Sequence, residues 1–168
     1  MAKTPLITRR QILAGIGSAA MLQYSPLFAA DENTMRGALM ILSTPYTNEG
    51  SVDYEDLAKE VAFCDKCGVQ GIVWPQNSSE QRYLSEEERI KGFETIARAN
   101  SGTGMALVFG VQADDTDRML RYATSAEALN PDGMIAIPPT TAVSLDDVRD
   151  YYRALCAITD KPVFVQTS

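Results

Sequence analysis

The chain of 168 residues contains no histidine. Every chemistry built on an imidazole is thereby excluded: a His-centred triad, a His metal site, a side chain that titrates near neutral pH without perturbation. Cysteine is scarce, with Cys64, Cys67 and Cys156 only. Cys64-Asp-Lys-Cys67 has the spacing of a redox pair. It falls, however, at the end of an expected helix, just before Gly68, whereas reactive pairs favour a helix N-terminus where the dipole lowers the thiol pKa. The two are read as ordinary helix residues, and with no second ligand pair in sight no metal site is expected. Basic residues are outnumbered as well. The 15 Lys and Arg face 22 Asp and Glu. Lys3, Arg9 and Arg10 lie in the first 30 residues, which hold no acid, so residues 31–168 carry 15 − 3 = 12 basic and 22 acidic groups, a charge of −10. That excess excludes nucleic acid and an anionic membrane surface as natural partners, and favours a small molecule or another protein.

Long apolar runs are absent too. The one near the N-terminus, Ile12 to about Leu22, is too short and glycine-rich for a membrane span. It follows Thr8-Arg-Arg-Gln-Ile-Leu13, with small residues near Phe28-Ala-Ala30. Paired arginines, an apolar core and a small-residue end make the three-part pattern of a twin-arginine export signal over residues 1–30. The expected location is periplasmic, with no membrane span after signal removal.

Beyond residue 30 the composition is ordinary for a globular domain, with 45% apolar and 22% charged residues. Apolar runs alternate with helix patterns. Strands are expected at Gly37–Leu42, Gly71–Trp74, Met105–Gly110, Met134–Ile137 and Pro162–Val165. Between them lie four helices. The first is capped by Asp53 and runs to about Cys67, with Leu57, Val61 and Cys64 inward and Gly68 as its stop. The second runs from Ser85 to about Ala99, with Ile90, Phe93, Ile96 and Ala97 inward. Ser85 with Glu88, three residues on, forms its capping box. The third covers Asp115 to Leu129, with Met119, Leu120, Ala123 and Ala126 inward. The fourth runs from Ser144 to about Ile158. Such repetition means consecutive βα units on a parallel sheet. Two closures fit. One is a five-stranded doubly wound sheet. The other is a (β/α)8 TIM barrel, which needs about 250 residues and of which this chain would supply the first half, β1–β5.

Either fold gathers ligands at the C-terminal ends of its strands. The richest such end is the elbow Gln76-Asn-Ser-Ser-Glu80 after the second strand, a cluster of amide, hydroxyl and carboxylate groups. Thr44 would line the same mouth. Trp74 is expected in the core. Tyr151 and Tyr152 fall on an outer helix and read as packing or subunit contacts. Glu86-Glu-Glu88 reads as a solvated first helical turn favoured by the dipole.

Thr44-Pro45, Gly71-Ile-Val73, Ser78-Ser-Glu80, Leu84-Ser85 with Glu88-Arg89, Val108-Phe-Gly110, Asp132-Gly133 and Pro139 before Tyr151-Tyr152 together resemble the dihydrodipicolinate synthase / N-acetylneuraminate lyase family. The resemblance covers about residues 35–168. It implies a TIM barrel and a carbon–carbon or carbon–nitrogen lyase of class I aldolase type. Such an enzyme acts on a 2-oxo acid, pyruvate or a relative, and an aldehyde, through a lysine Schiff base and without a further cofactor. It also implies a homo-oligomer in the full-length form. Carried over residue by residue, Asn77 and Ser78 are the substrate-binding elbow, with Thr44 beside them. Ser78 retains the hydroxyl of a family threonine. Gln76 and Ser79 replace two family glycines. Thr141 and Gln166 stand at positions of family tyrosines, the second of them a proton shuttle. The Schiff-base lysine is placed on a sixth strand, beyond Ser168. Lys59, Lys66, Lys91 and Lys161 fall on expected helices or before a strand, so the segment alone is expected to lack aldol chemistry. The alternatives are a barrel that binds a 2-oxo acid or sugar-like ligand without catalysis, and an inactive remnant.

Overall fold

The computed structural model describes residues 35–167. The export-signal reading, at residues 1–30, lies outside them. Five strands form one parallel sheet: β1 (Leu39–Ile41), β2 (Gly71–Trp74), β3 (Ala106–Gly110), β4 (Gly133–Ala136) and β5 (Val163–Val165). Helices α1 (Tyr54–Lys66), α2 (Glu86–Asn100), α3 (Thr116–Glu127) and α4 (Leu145–Cys156) connect them.

The local signals do their expected jobs. Asp53 accepts from the amides of Glu55 and Asp56 at the start of α1. Ser85 and Glu88 form the capping box of α2, and Ser144 and Asp147 that of α4. Each satisfies amides that the first helical turn leaves free. Gly68, at φ +73°, ends α1 in the left-handed region that only glycine enters without strain.

Strand order decides between the two closures. The order in space is β1-β2-β3-β4-β5, identical to the order in sequence. A doubly wound sheet must reverse direction once, because its helices cover both faces. No reversal occurs, so right-handed crossovers place every helix on one face. The fold is the first half of a TIM barrel, and the doubly wound alternative is excluded.

The register sorts the side chains into two faces. Ile72, Trp74, Leu107, Phe109, Met134 and Ala136 point to the helices and join the main core. The other face carries Leu39, Ile41, Val73, Val108, Ile135 and Phe164, with Gly71, Gly110 and Gly133 among them. Gly110 has to be glycine. A Cβ there would lie 1.8 Å from the Pro75 carbonyl oxygen.

The helix faces differ from the sequence reading at three positions. On α2, Arg89, Gly92, Phe93 and Ile96 are buried, while Ile90 and Ala97 are half-buried. On α3, Tyr122 replaces Leu120 in the buried set. A search for apolar spacing passes over an arginine, even one in phase with Phe93 and Ile96.

Trp74 is in the core at 0% exposure, edge-on to Phe93 with ring centroids 6.0 Å apart. So large a residue fits this strand because α2 has no side chain opposite it. A Cβ on Gly92 would lie 2.2 Å from the indole. Gly92→Ala is expected to destabilise the domain by about 1–3 kcal/mol through overpacking. In the Trp74→Phe background the cost should fall below about 1 kcal/mol. Urea midpoints of the four proteins test this. An equal cost in both backgrounds would remove the interlock.

The edge strands make a second prediction. Each pairs on one side only among the described residues, and Met40 (50% exposed), Ile41 (41%) and Val165 (59%) lie on them. Open parallel edges with apolar side chains recruit further strands. Light scattering on the 168-residue chain should report association at micromolar concentration. A monodisperse monomer would contradict it.

Candidate functional site

β2 runs into the elbow through a cis Trp74–Pro75 bond. Asn77–Ser79 then form a single 3-10 turn, closed by Glu80 in the left-handed region at φ 56°. The two positions read as glycine replacements need no unusual backbone angle. Gln76 is extended, with φ −129° and ψ −173°, and Ser79 lies within the turn. What the missing glycine changes is space. The Gln76 amide nitrogen lies 2.9 Å from where a Cβ on Gly110 would be, so this side chain fills the inner face above β3.

Hydrogen bonds anchor the elbow to β1. Trp74 Nε1 donates to Thr44 Oγ1 over 3.1 Å. Thr44 Oγ1 in turn donates to the Ser79 carbonyl over 2.6 Å. Ser79 Oγ donates to the Leu42 carbonyl over 2.5 Å and accepts from the Gln76 amide over 3.0 Å. Thr44 and Ser79 are buried and wholly engaged in this scaffold. Ser79 escaped the sequence reading because its neighbour Ser78 carries the family pattern.

Asn77 and Ser78 are exposed. Their backbone N–H groups have no acceptor among the described residues, and the Ser78 hydroxyl makes no hydrogen bond there. Two adjacent free amides beside a free hydroxyl are donors of the kind that suit an anion such as a carboxylate.

Thr141 is exposed, and its hydroxyl donates to the Asp114 carbonyl over 2.6 Å. Together with Thr140 Oγ1 to Asp114 Oδ1 at 2.9 Å, it straps the β4 loop to the β3 loop. Gln166 follows β5. Its amide donates to the Ala136 carbonyl over 3.0 Å, while its Oε1 is enclosed without a partner. The elbow residues therefore come together, and Thr141 and Gln166 stand on separate strand ends.

Tyr151 and Tyr152 pack as expected. Tyr151 OH accepts from the Ala113 amide over 3.2 Å, and Tyr152 OH donates to the Ala136 carbonyl over 2.8 Å. Burial pushes both phenols up to about 12, so neither serves as a base near neutral pH. Cys64 is buried, Cys67 exposed, and both are free thiols.

The residue that sequence reasoning missed is Arg89, 2% exposed. Its guanidinium donates to the carbonyls of Gly110 (2.8 Å) and Gln112 (3.0 Å) and lies 4.2 Å from the Tyr122 ring centroid. No carboxylate pairs with it among the described residues. Burial lowers it to about 10, which leaves it charged at neutral pH. It floors a groove of about 560 Å³ between α2, α3 and the β4 loop, with Arg82, Arg118, Asp114 and Asn77 around it. The readable signal was its phase, four residues before Phe93 and seven before Ile96.

Half of a parallel barrel, with an amide-and-hydroxyl elbow at a strand C-terminus, is the class this geometry defines. The chain belongs to the Dihydrodipicolinate synthetase family, whose profile matches residues 34–167. It is 27% identical over 128 residues to the 4-hydroxy-tetrahydrodipicolinate synthase of Moorella thermoacetica, covering 76% of this chain and 44% of that one. With the same-named protein of Methanosphaerula palustris it shares 32% identity over 105 residues, 61% of this chain and 36% of that one. The solved N-acetylneuraminate lyase of Proteus mirabilis superposes with a TM-score of 0.74 at 25% identity, covering 80% of this chain and 47% of that one. The chain thus spans less than half the length of these relatives.

Arg89→Met should destabilise the domain by about 3 kcal/mol, since two buried carbonyls lose their donor. Arg89→Lys should recover less than half of that, because an ammonium cannot reproduce the planar fork. Chemical denaturation checks both. Full recovery by lysine would mean that charge alone is needed.

Proposed function

We propose that residues 31–168 form the front half of an exported lyase barrel. In the complete protein it makes or breaks a carbon–carbon or carbon–nitrogen bond of a pyruvate-like 2-oxo acid. The observation that carries this reading is the elbow. The free amides of Asn77 and Ser78, with the Ser78 hydroxyl, offer three donors to a carboxylate at the strand end where barrels bind ligands. Thr44 supports the elbow from behind through its bond to the Ser79 carbonyl. The nucleophile in this proposal is a lysine on a sixth strand. Lys59 and Lys66 lie on α1, Lys91 on α2, and Lys161 precedes β5. None of the four stands at a strand C-terminus, where an amine would have to meet the substrate.

A second reading, a barrel that binds the same acid without transforming it, has one observation in its favour. The two positions of family tyrosines hold no titratable group. Thr141 spends its proton on the Asp114 carbonyl, and Gln166 carries an amide. Export by the twin-arginine route and assembly into a homo-oligomer complete the proposal. They rest on Thr8–Leu13 and on the open edges of β1 and β5.

Pyruvate should bind the 168-residue chain, and Ser78→Ala should weaken it about threefold to tenfold, the worth of one hydrogen bond. Borohydride with pyruvate should leave the mass of this chain unchanged. A trapped adduct on any of its lysines would overturn the placement of the nucleophile. Unaltered pyruvate affinity in Ser78→Ala would overturn the elbow assignment.

A further inference from the structure

The groove between α2, α3 and the β4 loop is lined by three arginines, Arg82, Arg89 and Arg118, and by one carboxylate, Asp114. Its balance is positive, whereas residues 31–168 as a whole carry −10. None of the three arginines forms an ion pair among the described residues. Asp114 is engaged instead by the Thr140 hydroxyl, over 2.9 Å.

Arg82 and Arg118 are exposed, and water satisfies a surface arginine. Arg89 is different, because it is 2% exposed. Its Nη atoms reach the Gly110 and Gln112 carbonyls and, over 3.4 Å, the Gln81 amide oxygen, while Nε is enclosed without a partner. All three acceptors are neutral dipoles. They hold the guanidinium in place and leave its charge without a counter-charge, which is costly for a group out of water. An anion over the groove floor would supply that counter-charge through space, in surroundings of low dielectric where the attraction is strong.

The rest of the lining limits what that anion is. Leu84 is buried, and Ile137, Pro138 and Pro139 are half-buried, so one wall is apolar. The volume of about 560 Å³ exceeds that of a bare ion and matches a small organic molecule. The acidic surroundings repel a polyanion. We propose that this groove is a binding site for a small carboxylate with an apolar body. The carboxylate lies over Arg89, Arg82 and Arg118 donate to it from the rim, and the apolar body rests on Ile137 and the two prolines. The site stands independently of the lyase reading. Ser78 and Thr44 do not line it, and of the elbow donors only Asn77 does.

3-Phenylpropionate and 3-phenylpropylamine share an apolar body and carry opposite charges. Calorimetric titration of the full 168-residue chain should show the acid binding at least about tenfold more tightly than the amine, and losing affinity as sodium chloride is added. Inorganic phosphate, an anion with no apolar body, should bind at least about tenfold more weakly than the acid. Arg82→Gln and Arg118→Gln change exposed residues on separate segments, and each should weaken the acid about threefold to tenfold. The near-ultraviolet signal of Trp74 reports the folding of each variant. Ser78→Ala should bind the acid as the parent chain does. Equal binding of acid and amine, phosphate binding as tightly as the acid, no binding of the acid, or unchanged affinity in both folded arginine variants would overturn the proposal. A loss in Ser78→Ala would move the ligand to the elbow, overturning the groove site and leaving the lyase reading intact.

Discussion

The hydrogen-bond chain Trp74 Nε1–Thr44 Oγ1–Ser79 carbonyl governs this mouth. It begins on a buried ring in the helix layer and crosses to β1. It ends on the turn that carries the unpaired amides of Asn77 and Ser78. Because Thr44 accepts at one end and donates at the other, it must be a hydroxyl. Valine would keep the shape and lose both bonds. Ser79 doubles the tie through the Leu42 carbonyl. The position of Asn77 and Ser78 is thus set by the core and not by the exposed turn itself. That is how three small polar groups on a loop hold their geometry.

Much of the fold was legible because short signals agreed with one another. Asp53, Ser85, Asp115 and Ser144 announce four helices, and each does cap one. Strand order was not legible. Nothing local in a βα unit states whether the next strand goes to the left or right, so the barrel was favoured by the family resemblance alone, and the unreversed order then excluded the open sheet. Arg89 was hidden because its value lies in carbonyls brought to it from β3, distant in sequence. Thr44 was placed at the mouth, where it stands, but as a ligand contact. Its partners Trp74 and Ser79 are 30 and 35 residues away, and no spacing rule joins them.

Departures from the family pattern fall into two kinds. Ser79 in place of glycine is absorbed, since the turn needs no left-handed angle there and uses the hydroxyl. Gln76 in place of glycine alters the volume and polarity of the inner face. The first is a substitution within a scaffold. The second changes what the mouth presents. Thr141 and Gln166 belong with the second kind, because each removes a titratable group from a strand end. All three are neutral.

The contact between Gly92 and Trp74 also constrains how such a sequence arises. A side chain at position 92 crowds the indole, since even a methyl carbon would come within 2.2 Å of it. With glycine at 92 and a small residue at 74 there is a void, which is tolerated at moderate cost. Either residue without the other is therefore less well packed than the two together. Reversion at position 92 is costly for the same reason while the ring remains. The pair is thus interdependent, and the tryptophan whose N–H holds the mouth in place is tied to a glycine on α2.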